Sequence, residues 1–176
     1  MQLHILSDVH TEFADFDLPE IDADVIVLAG GIGVGTGGLD WLSRQRRGSP
    51  VTYVPGNHEF YRHDLSLIDE LRSRAPRDVH VLDNEAVVLG KVRFLGSTLW
   101  ADFEIFGEMG KWFSIQRARQ CMNDFALIRW DGCPAENVYL ALRCGAASPF
   151  RIIRTSLPAV STGRTYTSVR PSGWIW

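Results

Sequence analysis

Asp24-Val25-Ile26-Val27-Leu28-Ala29, followed at once by Gly30-Gly31-Ile32-Gly33-Val34-Gly35-Thr36-Gly37-Gly38, decides the fold class. After Asp24 the run is aliphatic with no polar alternation, the pattern of a strand covered on both faces. The glycines let the chain turn tightly beside a ligand or another backbone. Working outward, Gln2–Leu6 is an apolar run ended by Ser7-Asp8, and Val51–Val54 is one stopped by Pro55-Gly56. Both read as strands. Leu39–Arg47 reads as a helix closed by Gly48 and Pro50. Asp64–Arg74 has apolar residues at 65, 67, 68 and 71, acids early and arginines late, which suits a helix and its dipole. Strand and helix alternate, and that argues an α/β protein.

Further along, Val79–Leu82, Ala86–Leu89 and Val92–Leu95 read as strands, with turns at Asn84 and Gly90-Lys91. Thr98–Ala101 adds a fourth, making a β-meander. Lys111–Ile128 reads as one long helix. The sum is an α/β chain with a mixed sheet or two stacked sheets.

The chain has 176 residues, 45% hydrophobic and 22% charged. That suffices for about one domain and for a core that needs no disulfide or metal. The composition excludes a disordered chain, a collagen and a disulfide scaffold. A net charge of −3 gives no general attraction to nucleic acid or an anionic membrane. Cys121, Cys133 and Cys144 form no CxxC and read as thiols in a reducing compartment. Met1–His10 has no basic region ahead of an apolar run, so no signal peptide is expected. The longest apolar stretch, Val25–Gly35, is too short to span a bilayer. A cytoplasmic protein with no membrane partner is expected.

Charge divides the chain. Residues 1–131 hold 13 Lys+Arg and 20 Asp+Glu; residues 132–176 hold five arginines and one acid, Glu136. The expected division is a folded unit over 1–131 and a divergent basic tail over 132–176.

Three polar clusters each follow a predicted strand: Asp8-Val9-His10, the glycine run from Gly30, and Pro55-Gly56-Asn57-His58-Glu59. In an extended segment, residues two apart point to one side, so Asp8 and His10 can reach one metal ion. Asn57 offers a neutral oxygen to a cation. His58 can donate a proton to a phosphoryl oxygen or leaving group. Each cluster has an ordinary reading too: Asp8 capping a turn, His10 on the surface, and Pro-Gly-Asn as a plain turn. Three such clusters at strand C-termini nonetheless lie where open α/β sheets gather ligands.

Asp8-x-His10, the glycine-ended strand and Gly56-Asn57-His58-Glu59 together resemble the calcineurin-like metallophosphoesterase superfamily over residues 1–60. The resemblance implies an α/β/β/α sandwich, incomplete at its C-terminus. It implies two divalent metal ions (manganese, iron, zinc or similar), with Asp8 and His10 on the first and Asn57 on the second. It also implies in-line attack on phosphorus by a hydroxide shared between the metals, with His58 as acid or stabiliser of the transition state. The partner is then a phosphoester substrate. Glu59 is expected to orient a neighbour. Arg62 and His63 could face a phosphate but read first as the surface of a helix start.

Two departures bear on activity. The family's Gly-Asp motif is here Gly30-Gly31, and no histidine follows His80. Of the matching ligands only Asp8 is anionic, so one weakly held ion, or none, and impaired activity are expected. A shifted reading frame or a genuine basic tail each account for residues 132–176. A sheet edge left open would call for a partner or self-association, with Trp174 and Trp176 covering part of it. Two other readings stand beside hydrolysis. One is a non-catalytic or degraded protein of the same fold. The other is a nucleotide-binding module using Gly33-x-Gly35-x-x-Gly38. The scattered arginines of the tail do not make a specific nucleic-acid site.

Overall fold

Four short, mostly apolar runs find their backbone hydrogen bonds in one another. The computed structural model describes residues 1–45, 48–101, 103 and 105–134. In it, β1 (Leu3–Leu6), β2 (Val25–Ala29), β3 (Val51–Val54) and β4 (Val79–Val81) form a parallel sheet in that order. The register aligns two rows across the sheet: His4, Ile26, Val51 and Val79, then Leu6, Leu28, Tyr53 and Val81. Because side chains alternate along a strand, both rows share one face. Helices α1 (Gly37–Gln45) and α2 (Leu67–Arg74) cover that face. Leu39, Trp41, Leu42, Leu67, Ile68 and Leu71 join the strand residues in one core cluster. Each fully buried aliphatic side chain there contributes roughly 1.5–3 kcal/mol.

The opposite face is only partly covered. Thr52 is buried, Val27 and His80 are half-buried, and Ile5 is exposed. Cover on both faces was expected of the Asp24–Ala29 run. The run holds the centre of the sheet, yet its Ala29 end is exposed. The chain is a mixed α/β protein with a central parallel sheet, as the alternation of elements implies.

Three expected elements differ. The meander is instead an antiparallel hairpin of β5 (Glu85–Leu89) and β6 (Val92–Gly96), turning at Gly90 with φ +60°. β4 has joined the parallel sheet, because its Val79 and Val81 extend the buried rows. Thr98–Ala101 is not a strand; Thr98 is buried and its hydroxyl donates to the Pro55 carbonyl at 2.8 Å, tying this segment to the loop after β3. The long helix is two: α3 (Gly107–Cys121) and a single turn, α4 (Asp124–Leu127). Met122 between them is extended (φ −103°, ψ 127°), which redirects the chain so that Ile128 enters the core.

After α4, β7 (Arg129–Trp130) and β8 (Cys133–Pro134) pair across Asp131-Gly132, whose φ values of +51° and +75° suit a two-residue hairpin turn. The charge boundary falls on this turn. Residues 135–176, the bulk of the divergent tail with Trp174 and Trp176, lie outside the described residues. No described helix is long and apolar enough to cross a membrane.

Candidate functional site

The loops leaving β1, β2 and β3 emerge at the C-terminal edge of the sheet and are laced together. The Asp8 N–H donates to the Gly30 carbonyl (3.0 Å), His10 N–H to Gly31 (2.9 Å) and Thr11 N–H to Ile32 (2.9 Å). These bonds hold Asp8 and His10 at φ +53° and +51°. The segment is therefore not extended, contrary to the sequence reading, and the side chains converge by a different geometry. Non-glycine residues at such angles cost about 1 kcal/mol or more each, and such strain is common at functional sites.

Glu59 fastens the other two loops. It is fully buried, and its carboxylate accepts four hydrogen bonds. Oε1 takes Ile32 N–H (2.7 Å) and Tyr53 O–H (3.0 Å); Oε2 takes Gly31 N–H (3.1 Å) and Gly56 N–H (2.7 Å). Glu59 thus orients backbone rather than a ligand side chain. The glycines it gathers are packed tightly: a Cβ on Gly31 would stand 3.1 Å from Asp8 Oδ1, and one on Gly56 would stand 2.9 Å from Gly31 N.

The dinucleotide-type glycines have the same explanation. Cβ atoms on Gly33, Gly35 and Gly38 would collide with Thr11, His63 and Tyr53. Arg74 already covers the start of α1, donating to Thr36 Oγ1 at 2.7 Å and pairing with Asp40 at 3.1 Å. These glycines are accounted for by close packing within the chain.

At the centre of the site is a residue not singled out from the sequence. Glu12 Oε1 lies 3.1 Å from His10 Nδ1 and 3.0 Å from His58 Nδ1. The imidazoles meet edge to face with centroids 4.3 Å apart. Burial alone would push the Glu12 carboxyl up. Its own backbone N–H, the bonds from His58 and His10, and the charge of His10 outweigh this and hold it below the ordinary value. As a carboxylate Glu12 can only accept, so each ring presents Nδ1–H to it and leaves Nε2 outward. His10 Nε2 lies 3.9 Å from Asp8 Oδ1. That is less than twice a metal–ligand distance of ~2.1 Å, so one ion can touch both. The Nδ1 bond to a carboxylate is the support commonly found behind a ligating histidine.

Asn57 is engaged elsewhere. Its Nδ2 donates to Asp124 Oδ1 at 2.8 Å and to the Tyr61 hydroxyl at 3.3 Å; that hydroxyl donates to the same Asp124 oxygen at 2.8 Å. Tyr61 stacks on His58 with centroids 4.3 Å apart. Burial first, and then Asp124, push the Tyr61 phenol well above its ordinary value, so it remains a donor.

The structure therefore brings His10 and His58 together through Glu12, leaves Asp8 3.9 Å from His10 Nε2, and places Asn57 in a separate network with Tyr61 and Asp124. Among the described residues, one group of three or more His, Cys, Asp and Glu side chains offers ligand atoms all within 4.8 Å of one another: His10, Glu12 and His58. Besides Asp8, two further carboxylates stand at the site: Glu12 between the imidazoles and Asp124 behind Asn57. Glu12 continued the two-residue spacing of Asp8 and His10 and was legible there. Tyr61 and Asp124 carried no local signal. Arg62, at φ +66°, is exposed, and its backbone N–H donates to the Leu127 carbonyl at 2.7 Å.

No family model matches the chain, and no curated protein does. A solved structure does: the crystal structure of phosphopantetheinyl hydrolase from Mycobacterium tuberculosis, at 20% identity and a TM-score of 0.60. The match covers 81% of this chain and 60% of that one. It shows a shared fold. Membership of the calcineurin-like metallophosphoesterase superfamily, implied by the motifs of residues 1–60, is accordingly withdrawn. The motifs are short, no family model recovers them, and the structural match is to a phosphopantetheinyl hydrolase.

Proposed function

We propose that this chain is a metal-dependent phosphoester hydrolase, with Asp8 and His10 holding a divalent cation, Asn57 contributing its amide oxygen, and His58 serving as the acid. The observation that carries the reading is the shared carboxylate. Glu12 contacts both imidazoles at Nδ1, which supports a reading in which His10 Nε2, 3.9 Å from Asp8, ligates the ion and His58 Nε2 carries the proton. The chain shares its fold with a protein named as a phosphopantetheinyl hydrolase. This chain spans about three-fifths of that protein, so its substrate is part of the proposal.

The donor set fits such an ion. One carboxylate and one imidazole face each other at 3.9 Å, on a loop whose backbone is held by three hydrogen bonds. These oxygen and nitrogen donors suit manganese, iron or zinc. A bound cation would neutralise charge developing on the phosphoryl oxygens. His58 would hold a proton at Nε2 and deliver it to the departing oxygen. The Glu12 carboxylate at Nδ1 balances the charge that the ring carries while doubly protonated. The Tyr61 ring against His58 limits its rotation, and the Glu59 clamp keeps the loops in register.

A second reading rests on the His10, Glu12 and His58 cluster, which can itself ligate one ion in a non-catalytic protein. One experiment separates the two. Hydrolysis of β-glycerophosphate, whose alkoxide leaving group needs a proton, is followed by phosphate release with manganese and with EDTA, and manganese affinity is measured by titration, for the chain and for His58→Asn. The proposal expects metal-dependent turnover that EDTA abolishes. His58→Asn should lower kcat by about 100-fold or more while leaving manganese affinity little changed. Loss of manganese affinity in His58→Asn would favour the second reading. Absence of turnover at saturating manganese would overturn the first.

A further inference from the structure

We propose that Asp124 is a positioning residue that sets which way the Asn57 amide points. This deepens the reading above, because it rests on Asn57 being a ligand. Asn57 opens the single 3-10 turn His58–Phe60, a place where asparagine commonly caps with its side chain. Here it makes no such bond. Instead Nδ2 donates to Asp124 Oδ1 (2.8 Å) and to Tyr61 (3.3 Å). A carboxylate accepts and cannot donate, so the nitrogen must face Asp124 and the oxygen Oδ1 must face away from it. That keeps the amide oxygen, the atom able to ligate a cation, off Asp124, and the choice is made by a residue 67 positions later in the chain.

Asp124 is delivered with little freedom. It opens α4, and the segment that follows is sewn to residues 62–65 just beyond the site. Arg62 N–H donates to the Leu127 carbonyl (2.7 Å), Arg129 N–H to His63 (3.0 Å) and Leu65 N–H to Arg129 (3.0 Å). Ile128, at 1% exposure, anchors the segment in the core. Tyr61 closes the triangle by donating to the same Asp124 oxygen while stacking on His58. One carboxylate therefore fixes the Asn57 amide directly and the ring behind His58 through a single hydrogen bond.

The test separates positioning from simple charge attraction. Asp124→Ser draws the side-chain oxygen back out of reach of the Asn57 amide and removes the charge, whereas Asp124→Asn keeps an oxygen where Oδ1 lies, with an NH2 in place of the second oxygen, and removes the charge. Manganese affinity is measured by titration, and the Asn57 side-chain amide is followed by 15N NMR with its proton exchange. The Asp124→Ser variant should weaken manganese binding by about tenfold or more. Its Asn57 amide protons should lose protection. Asp124→Asn should restore both. Equal loss in the two variants would mean that the charge attracts the cation, and it would overturn the proposal. So would an Asn57 amide unchanged in Asp124→Ser. If the unaltered chain binds no manganese, the hydrolase reading fails. The amide signals then still decide whether Asp124 orients Asn57.

Discussion

Asp8, His10, Asn57 and His58 stand out as candidates in the sequence because each lies just past a strand, where open α/β sheets gather ligands. Their partners could not be found so directly. Glu12 lay in plain view two residues beyond His10, while Tyr61 and Asp124 have meaning only once α4 folds against residues 61–65. The local conformation was also beyond the sequence. Asp8 and His10 take positive φ because they bond to Gly30 and Gly31, across 22 and 21 residues. Glu59 gives the sharpest residue-scale prediction. It accepts four donors at 0% exposure. In Glu59→Gln an amide nitrogen replaces one of the two oxygens and must oppose at least one backbone N–H. A loss of about 3 kcal/mol of stability is expected, read from urea denaturation. A variant as stable as the parent would show that the clamp does not hold the loops.

At the scale of elements, β1, β2, β3 and both core helices followed from apolar patterning, each within a few residues. Helix starts were less legible. Asp64–Ser66 precede α2 rather than belong to it, and Leu65 N–H donates to the Arg129 carbonyl. The region after β4 was read least well. The hydrophobic residues of α3 do not form a buried stripe: Met109, Trp112 and Phe113 are exposed and Ala118 is buried. A pattern that does not face the core cannot mark where a helix breaks, and so the break at Met122 was missed. β1 supplies a prediction through His4, which burial holds below the ordinary imidazole value. The unfolded chain then binds that proton more tightly than the folded one. Stability should fall as pH drops from about 6.5 toward the lower folded value, and level out below it. His4→Leu should flatten this part of the curve in denaturant titrations at several pH values. An unchanged slope would place the dependence on another group.

At the scale of the whole molecule, the α/β class was legible because four buried strands and two covering helices impose their own periodicities. The relation between the loops was not, since it depends on parallel register and on contacts between residues tens of positions apart. The charge boundary at 131–132 is real in composition, yet it falls within a hairpin whose first strand, β7, is bonded to the segment beside the site. The fold is shared with a phosphopantetheinyl hydrolase, and this chain carries on it a cluster of two imidazoles and two carboxylates built from the β1 and β3 loops. On the proposed reading, this cluster binds a divalent cation at Asp8 and His10. Anomalous diffraction from crystals grown with manganese tests it most directly. A peak is expected within about 2.5 Å of both the Asp8 carboxylate and His10 Nε2. A crystal at saturating manganese with no peak there would contradict it.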